Sequence, residues 1–120
     1  MATMKELLSS FKKADGVEMA AVIGTDGLVI ESIHKDGIDV DEISAMADNG
    51  LAIARALGHQ MNKGEPLQTI LEYERGVVLL ESLGEDALLL VISEKPRNLG
   101  SIRFLAHRSR KELIEALAAI

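Results

Sequence analysis

The sequence predicts an α/β fold: a five-stranded antiparallel sheet in the order 2-1-5-4-3, with one helix on one face and two on the other. Three observations lead there. The segments run helix, two strands, helix, three strands, helix. Asp26-Gly27, Arg75-Gly76 and Gly84-Glu85-Asp86 are tight turns between strands, and tight turns join antiparallel neighbours. Segments 17–25 and 87–93 are apolar on both faces, which places them at the centre of a sheet covered on both sides.

Residues 3–13 form a short amphipathic helix. Thr3 and Glu6 have capping-box spacing, and Met4, Leu7, Leu8 and Phe11 make the apolar stripe. Asp15-Gly16 ends it. In strand 17–25, Val17, Met19, Ala21 and Ile23 point one way, and Ala20 and Val22 the other. Asp26-Gly27 turns the chain, since Gly accepts positive φ and Asp tolerates it. Strand 28–34 carries Glu31, Ser32 and His34 and suits an edge.

Asp39 caps a central helix over 39–61, with Glu42 at the third helical position. Ile43, Ala47, Gly50, Ala54, Leu57 and Met61 share one stripe, read as the buried one. The other side carries Asp41, Glu42, Ala45, Asp48, Asn49, Ala52, Arg55, Ala56 and His59. Its alanines break up the charges and leave a shallow, mixed surface suited to a partner. Gly50, Ala54 and Gly58 are spaced by four. A helical glycine costs roughly 1 kcal/mol against alanine. Two of them imply close approach, by the chain's own sheet or by a second copy of the helix.

The run Asn62-Lys63-Gly64-Glu65-Pro66 stops that helix. Strand 67–74 then puts Leu67, Thr69, Leu71 and Tyr73 on one face and only Ile70, among apolar residues, on the other. It reads as an edge. Strands 77–83 and 87–93 follow. Asn98 is expected to cap the final helix, whose inner face is Leu99, Ile102, Leu105, Ala106, Ser109, Leu113, Ala116, Leu117 and Ile120. Phe104 falls outside that face and is expected to tuck against a neighbouring element.

At 120 residues the chain is long enough for one domain with a real core. Aromatics are 2% of it, so the core is aliphatic. There is no Cys, which excludes a disulfide framework and thiolate chemistry. The net charge of -6 disfavours nucleic acid and anionic membranes. No apolar run approaches the roughly 18 residues of a span, and charges at Lys5, Glu6, Lys12 and Lys13 interrupt any signal-peptide core. A cytoplasmic protein is expected.

No catalytic or metal-binding pattern emerges, so no cofactor and no metal are expected. His34, His59 and His107 stand in no ligand spacing. Asp39 and Asp41 lack the spaced oxygens and closing Glu of a calcium loop. Gly24-Thr25-Asp26-Gly27 opens a hairpin, not a helix, so it makes no phosphate loop. Glu72, Glu74 and Glu81 on neighbouring strands are the nearest thing to a carboxylate pair, and edge exposure explains the first two better. Arg75 reads as a turn residue before an arginine finger.

The order of elements, the run Ala20-Ala21-Val22-Ile23-Gly24-Thr25-Asp26-Gly27-Leu28-Val29-Ile30 and the closing Asn98-Leu99-Gly100-Ser101-Ile102-Arg103 resemble the roadblock (dynein light chain) family. In length and design the chain is most similar to its MglB-like bacterial and archaeal members. The resemblance covers essentially the whole chain, as one domain over 1–120. It rests on turn and packing residues. It implies a profilin-like α/β fold and a homodimer joined through third strands, with central helices side by side. Dimer contacts would then fall on Gly50, Ala54, Gly58, Leu67, Thr69, Leu71 and Tyr73. It further implies a Ras-like small GTPase as partner. The partner surface would be Asp41, Glu42, Ala45, Asp48, Asn49, Ala52, Arg55 and His59.

Three functions follow as alternatives. One is a homodimeric regulator of a GTPase, without an active site of its own. Another is a scaffold subunit that never alters a hydrolysis rate. The third, a small-molecule sensor, is disfavoured by the scarcity of aromatic and convergent polar groups.

Overall fold

The structure, a computed structural model, describes residues 2–120. The elements are α1 (Met4–Ser9), β1 (Val17–Gly24), β2 (Val29–His34), α2 (Val40–Gln60), β3 (Thr69–Tyr73), β4 (Gly76–Ser82), β5 (Ala87–Ser93) and α3 (Leu99–Ala118). Short 3₁₀ turns at Ser10–Lys13 and Pro96–Asn98 extend α1 and lead into α3. The strands form one antiparallel sheet in the order β2-β1-β5-β4-β3. The two-sided strands β1 and β5 sit inside it, as their composition demands.

Local chemistry sets the ends of these elements. Thr3 and Glu6 close the capping box on α1. Asp39 Oδ1 accepts the Glu42 amide at 3.1 Å and starts α2. Asp26 Oδ1 accepts the Leu28 amide, and Gly27 takes a positive φ, so the first hairpin turns where expected. Asn98 departs from expectation. Its side chain makes no cap; Nδ2 instead donates to the Asp15 carbonyl, tying the start of α3 to the end of the first helical segment.

Two cores sandwich the sheet. On one side α1 and α3 cover Phe11, Ala20, Val22, Leu79, Leu89, Val91, Ile102 and Leu113. On the other α2 covers Met19, Ala21, Ile23, Leu80, Leu88 and Leu90. Val17 was grouped with Met19 by alternation, yet it packs with the α1/α3 core. The β1–β5 register shifts between these two residues, and that shift reverses its direction.

The central helix is rotated from the expected stripe. Its buried residues are Ser44, Ala47 and Leu51. Leu57 is 60% exposed and Met61 is also exposed. Ala45 lies against Gly27 of the first hairpin, and Arg55 reaches Gly84 of the β4–β5 turn. The helix therefore passes over the sheet with one flank towards these turns. Ile120, assigned to the inner face of α3, is exposed past its end.

Candidate interaction surfaces

The flank of α2 away from the turns is apolar and uncovered. Met46, Ile53 and Leu57 are spaced by seven and four residues, so they form one line on a helix. Ile53 is 69% exposed, and Met46 resembles it. The sheet has a free edge at β3. Leu71 pairs with Val78, which packs against α2, and cross-strand partners share a face. Leu71 and Tyr73 therefore stand on the α2 side, and both are exposed. Among the described residues only β4 is hydrogen-bonded to β3, so its outer backbone groups lie unpaired along the edge.

Sequence reasoning missed Met46 and Ile53. The signal was present in their spacing, but the large apolar residues of α2 spread over an arc too wide to single out one stripe. Thr69, Leu71 and Tyr73 fall within β3 or at its end, as expected. Leu67 falls before the strand and is 86% exposed.

The small residues of α2 have partners within the chain. A Cβ on Gly50 would meet Leu80 Cδ1 at 3.4 Å, so this glycine lets the helix settle on its own sheet. A Cβ on Gly58 would come within 2.5 Å of the Gly64 carbonyl oxygen in the following loop. Ala54 is half-buried.

The flank facing the turns is polar. Asp41, Ala45, Ala52 and His59 are exposed there, while Asp48 and Arg55 are half-buried; Glu42 and Asn49, also exposed, border the Met46–Ile53 line. Arg55 is held on three sides. Its Nε donates to Glu65 Oε2 at 3.1 Å, and Nη2 donates to Ser82 Oγ at 2.8 Å and to the Gly84 carbonyl. The other Glu65 oxygen lies 2.7 Å from His59 Nε2. Glu65 is held below the ordinary carboxylate range, first by the His59 hydrogen bond and then by Arg55. The group braces the loop after α2 against the β4–β5 turn.

The three strand glutamates do not make a catalytic pair. Glu72 and Glu74 are exposed, as edge residues should be. Glu81 is 1% exposed and lies beneath α3. Gln68 Nε2 donates to its Oε1 at 2.8 Å, and Arg110 Nε stands 3.9 Å from Oε2. Among the described residues no group of His, Cys, Asp and Glu could hold a metal ion. No helix among them is long and apolar enough to cross a membrane.

Residues 3–93 match the Roadblock/LC7 domain family. The chain belongs to that family. An uncharacterised protein of Methanocaldococcus jannaschii, MJ1340, is 31% identical to this Roadblock/LC7 chain over 107 residues, covering 89% of it and 93% of the relative. The fold is that of solved MglB structures. Myxococcus xanthus MglB superposes with a TM-score of 0.87 at 16% identity, covering 98% of this chain and 96% of that one. An MglB with tetrameric arrangement gives 0.87 at 20% identity, covering 98% and 90%.

Proposed function

We propose that this Roadblock/LC7 chain is a homodimeric regulator of a Ras-like small GTPase, acting in the cytoplasm. The observation that carries the reading is that an exposed apolar helix flank and an unpaired strand edge with exposed Leu71 and Tyr73 lie on the same face of the sheet. Two copies joined β3 to β3 would bring Met46, Ile53 and Leu57 of one against those of the other. Gly50, beside this line, keeps the flank low. Ala54 lies at its buried margin, Leu67 borders the joined edges, and Gly58 serves the contact indirectly by seating the loop that leads to them. Burying one such side chain is worth about 1.5–3 kcal/mol, and stable interfaces bury about 1,200–2,000 Å² in total. An MglB with tetrameric arrangement supports self-association of this fold.

The joined pair would present the turn-facing flanks of two α2 helices. Asp41, Glu42, Ala45, Asp48, Asn49 and Ala52 supply the contact surface, and Arg55 and His59 hold its C-terminal end. The roadblock resemblance gives the mechanism: the GTPase brings its own catalytic groups, and the bound partner repositions them. A partner of this kind needs shape and rigidity and no nucleophile.

The test is GTP hydrolysis by Ras-like GTPases of the same organism, measured with and without this protein. An altered rate is expected. Ala52→Trp should abolish GTPase binding while sedimentation still shows the dimer. Unaltered binding by that variant removes the assigned surface. Binding without a change in rate leaves the scaffold.

A further inference from the structure

A second recognition site lies towards α3, meeting the α2 surface only at Arg55 and Glu65, which line its far margin, and sharing Leu67 with the proposed dimer edge. A cleft of about 1180 Å³ opens between α3, the lead-in to β3 and the β4–β5 turn. One wall is Arg103, Phe104, His107 and Arg110 of α3; Leu67 and Gln68 face them. Both arginines are fixed by their inner nitrogens. Arg103 Nε donates to Gln68 Oε1 at 3.0 Å, and Arg110 Nε donates to the Ser82 carbonyl at 3.0 Å. Among the described residues their terminal nitrogens have no partner, so two guanidinium forks stand pre-positioned without an acceptor.

Two further features shape the cleft. Phe104 is 66% exposed, with Arg108 over its ring at 5.9 Å, and Leu67 is exposed across the cleft. Together they offer an apolar seat. Glu81 lies buried under the cleft: among the described residues its Oε2 has no hydrogen-bond partner, and it stands 3.9 Å from Arg110 Nε, which keeps that guanidinium in place.

We infer that this cleft binds an acidic segment of a partner protein, with its carboxylates on Arg103 and Arg110 and an apolar side chain between Phe104 and Leu67. A peptide brings both. Inorganic phosphate supplies acceptors alone, and an anionic lipid surface sets no apolar side chain beside a carboxylate. The cleft is also concave, which suits a segment better than a bilayer.

The experiment is selection of a randomised twelve-residue phage library on the whole protein, followed by amide chemical-shift mapping with the enriched peptide. Enrichment of Asp or Glu beside Leu, Ile or Phe is expected, with shifts centred on Phe104, His107 and Gln68. Arg103→Gln and Phe104→Ser, both at exposed positions, should each weaken the peptide at least tenfold while thermal unfolding stays near the parent. Failure to enrich acidic peptides overturns the inference. So does binding unchanged by either substitution, full competition by millimolar inorganic phosphate, or retention on phosphatidylserine vesicles with no peptide affinity. None of these outcomes depends on GTPase binding.

Discussion

Gly58 lies so close to Gly64 that a Cβ on it would stand 2.5 Å from the Gly64 carbonyl oxygen. The loop leaving α2 folds back over the helix, and Lys63 donates its amide to the Gly58 carbonyl at 2.8 Å. Helix propensity favours Ala at this position by roughly 1 kcal/mol. The clash is with backbone, which cannot swing away. Gly58→Ala should therefore destabilise the protein by about 1–3 kcal/mol, the usual cost of overpacking. Urea unfolding checks this, and a stabilised variant would show that the loop moves freely.

The rotation of α2 is testable by a pair of leucines. Leu51 is buried between α2 and the sheet. Leu51→Ala should cost about 2–5 kcal/mol. Leu57→Ala, at an exposed position, should leave the unfolding midpoint of the isolated chain nearly unchanged while weakening self-association. Equal losses in both would restore the stripe read from the sequence.

Ile53→Asp places a charge in the middle of the exposed apolar line. It should convert the proposed dimer to monomer in sedimentation at micromolar concentration, with the far-ultraviolet dichroism unchanged. Ile53 faces no core, so a loss of folding is not expected. A dimer that survives this substitution assembles elsewhere.

Glu65 ties pH to the loop after α2. Its carboxyl is held below its ordinary value by His59 and then Arg55, so the folded form binds its proton less readily than the unfolded chain. The sign follows from linkage: the contribution is complete above the unfolded pKa and fades as pH falls through the folded one. Glu65 is well exposed, so the effect is small. Amide protection in residues 61–67, taken relative to intrinsic exchange at each pH, should fall on acidification below the ordinary carboxylate range. Glu65→Gln should show the lower protection at neutral pH and lose the acid dependence.

Arg110 and Glu81 form a half-buried ion pair between α3 and β4, at 3.9 Å. Removing Arg110 leaves the buried carboxylate without its cation. Arg110→Met should destabilise by about 2–4 kcal/mol, somewhat less than a fully buried pair because Arg110 is itself partly exposed. In a double-mutant cycle, Glu81→Gln should recover part of that loss. Additive effects would mean the two do not interact.

The sheet was legible because its signals are local. Asp26-Gly27 and Gly84-Glu85-Asp86 fix two turns, and the uninterrupted apolar side chains of β1 and β5 admit only an interior place. The face of α2 was not legible. Ile43, Met46, Ala47, Leu51, Ile53, Leu57 and Met61 leave no single apolar stripe, so periodicity alone does not select the true one. A stripe drawn through Ala47, Gly50 and Ala54 takes in Leu57 and Met61 and leaves out Leu51. Gly50 and Gly58 answer to Leu80 and Gly64, contacts that only the folded chain reveals. Glu81 was hidden differently: a glutamate on a strand reads as solvent-facing until Gln68 and α3 close over it. Phe104 was expected to be tucked away and stands out from α3 instead, with Arg108 over its ring.

Charge is unevenly shared between the two layers. Asp39, Asp41, Glu42 and Asp48 gather at the start of α2, while Arg103, Arg108, Arg110 and Lys111 gather on α3. The molecule thus has an electrical heading. A diffusing protein with a basic contact face is turned towards one layer before touching it, and one with an acidic face towards the other. Added salt should slow both encounters, while each partner keeps its own landing side.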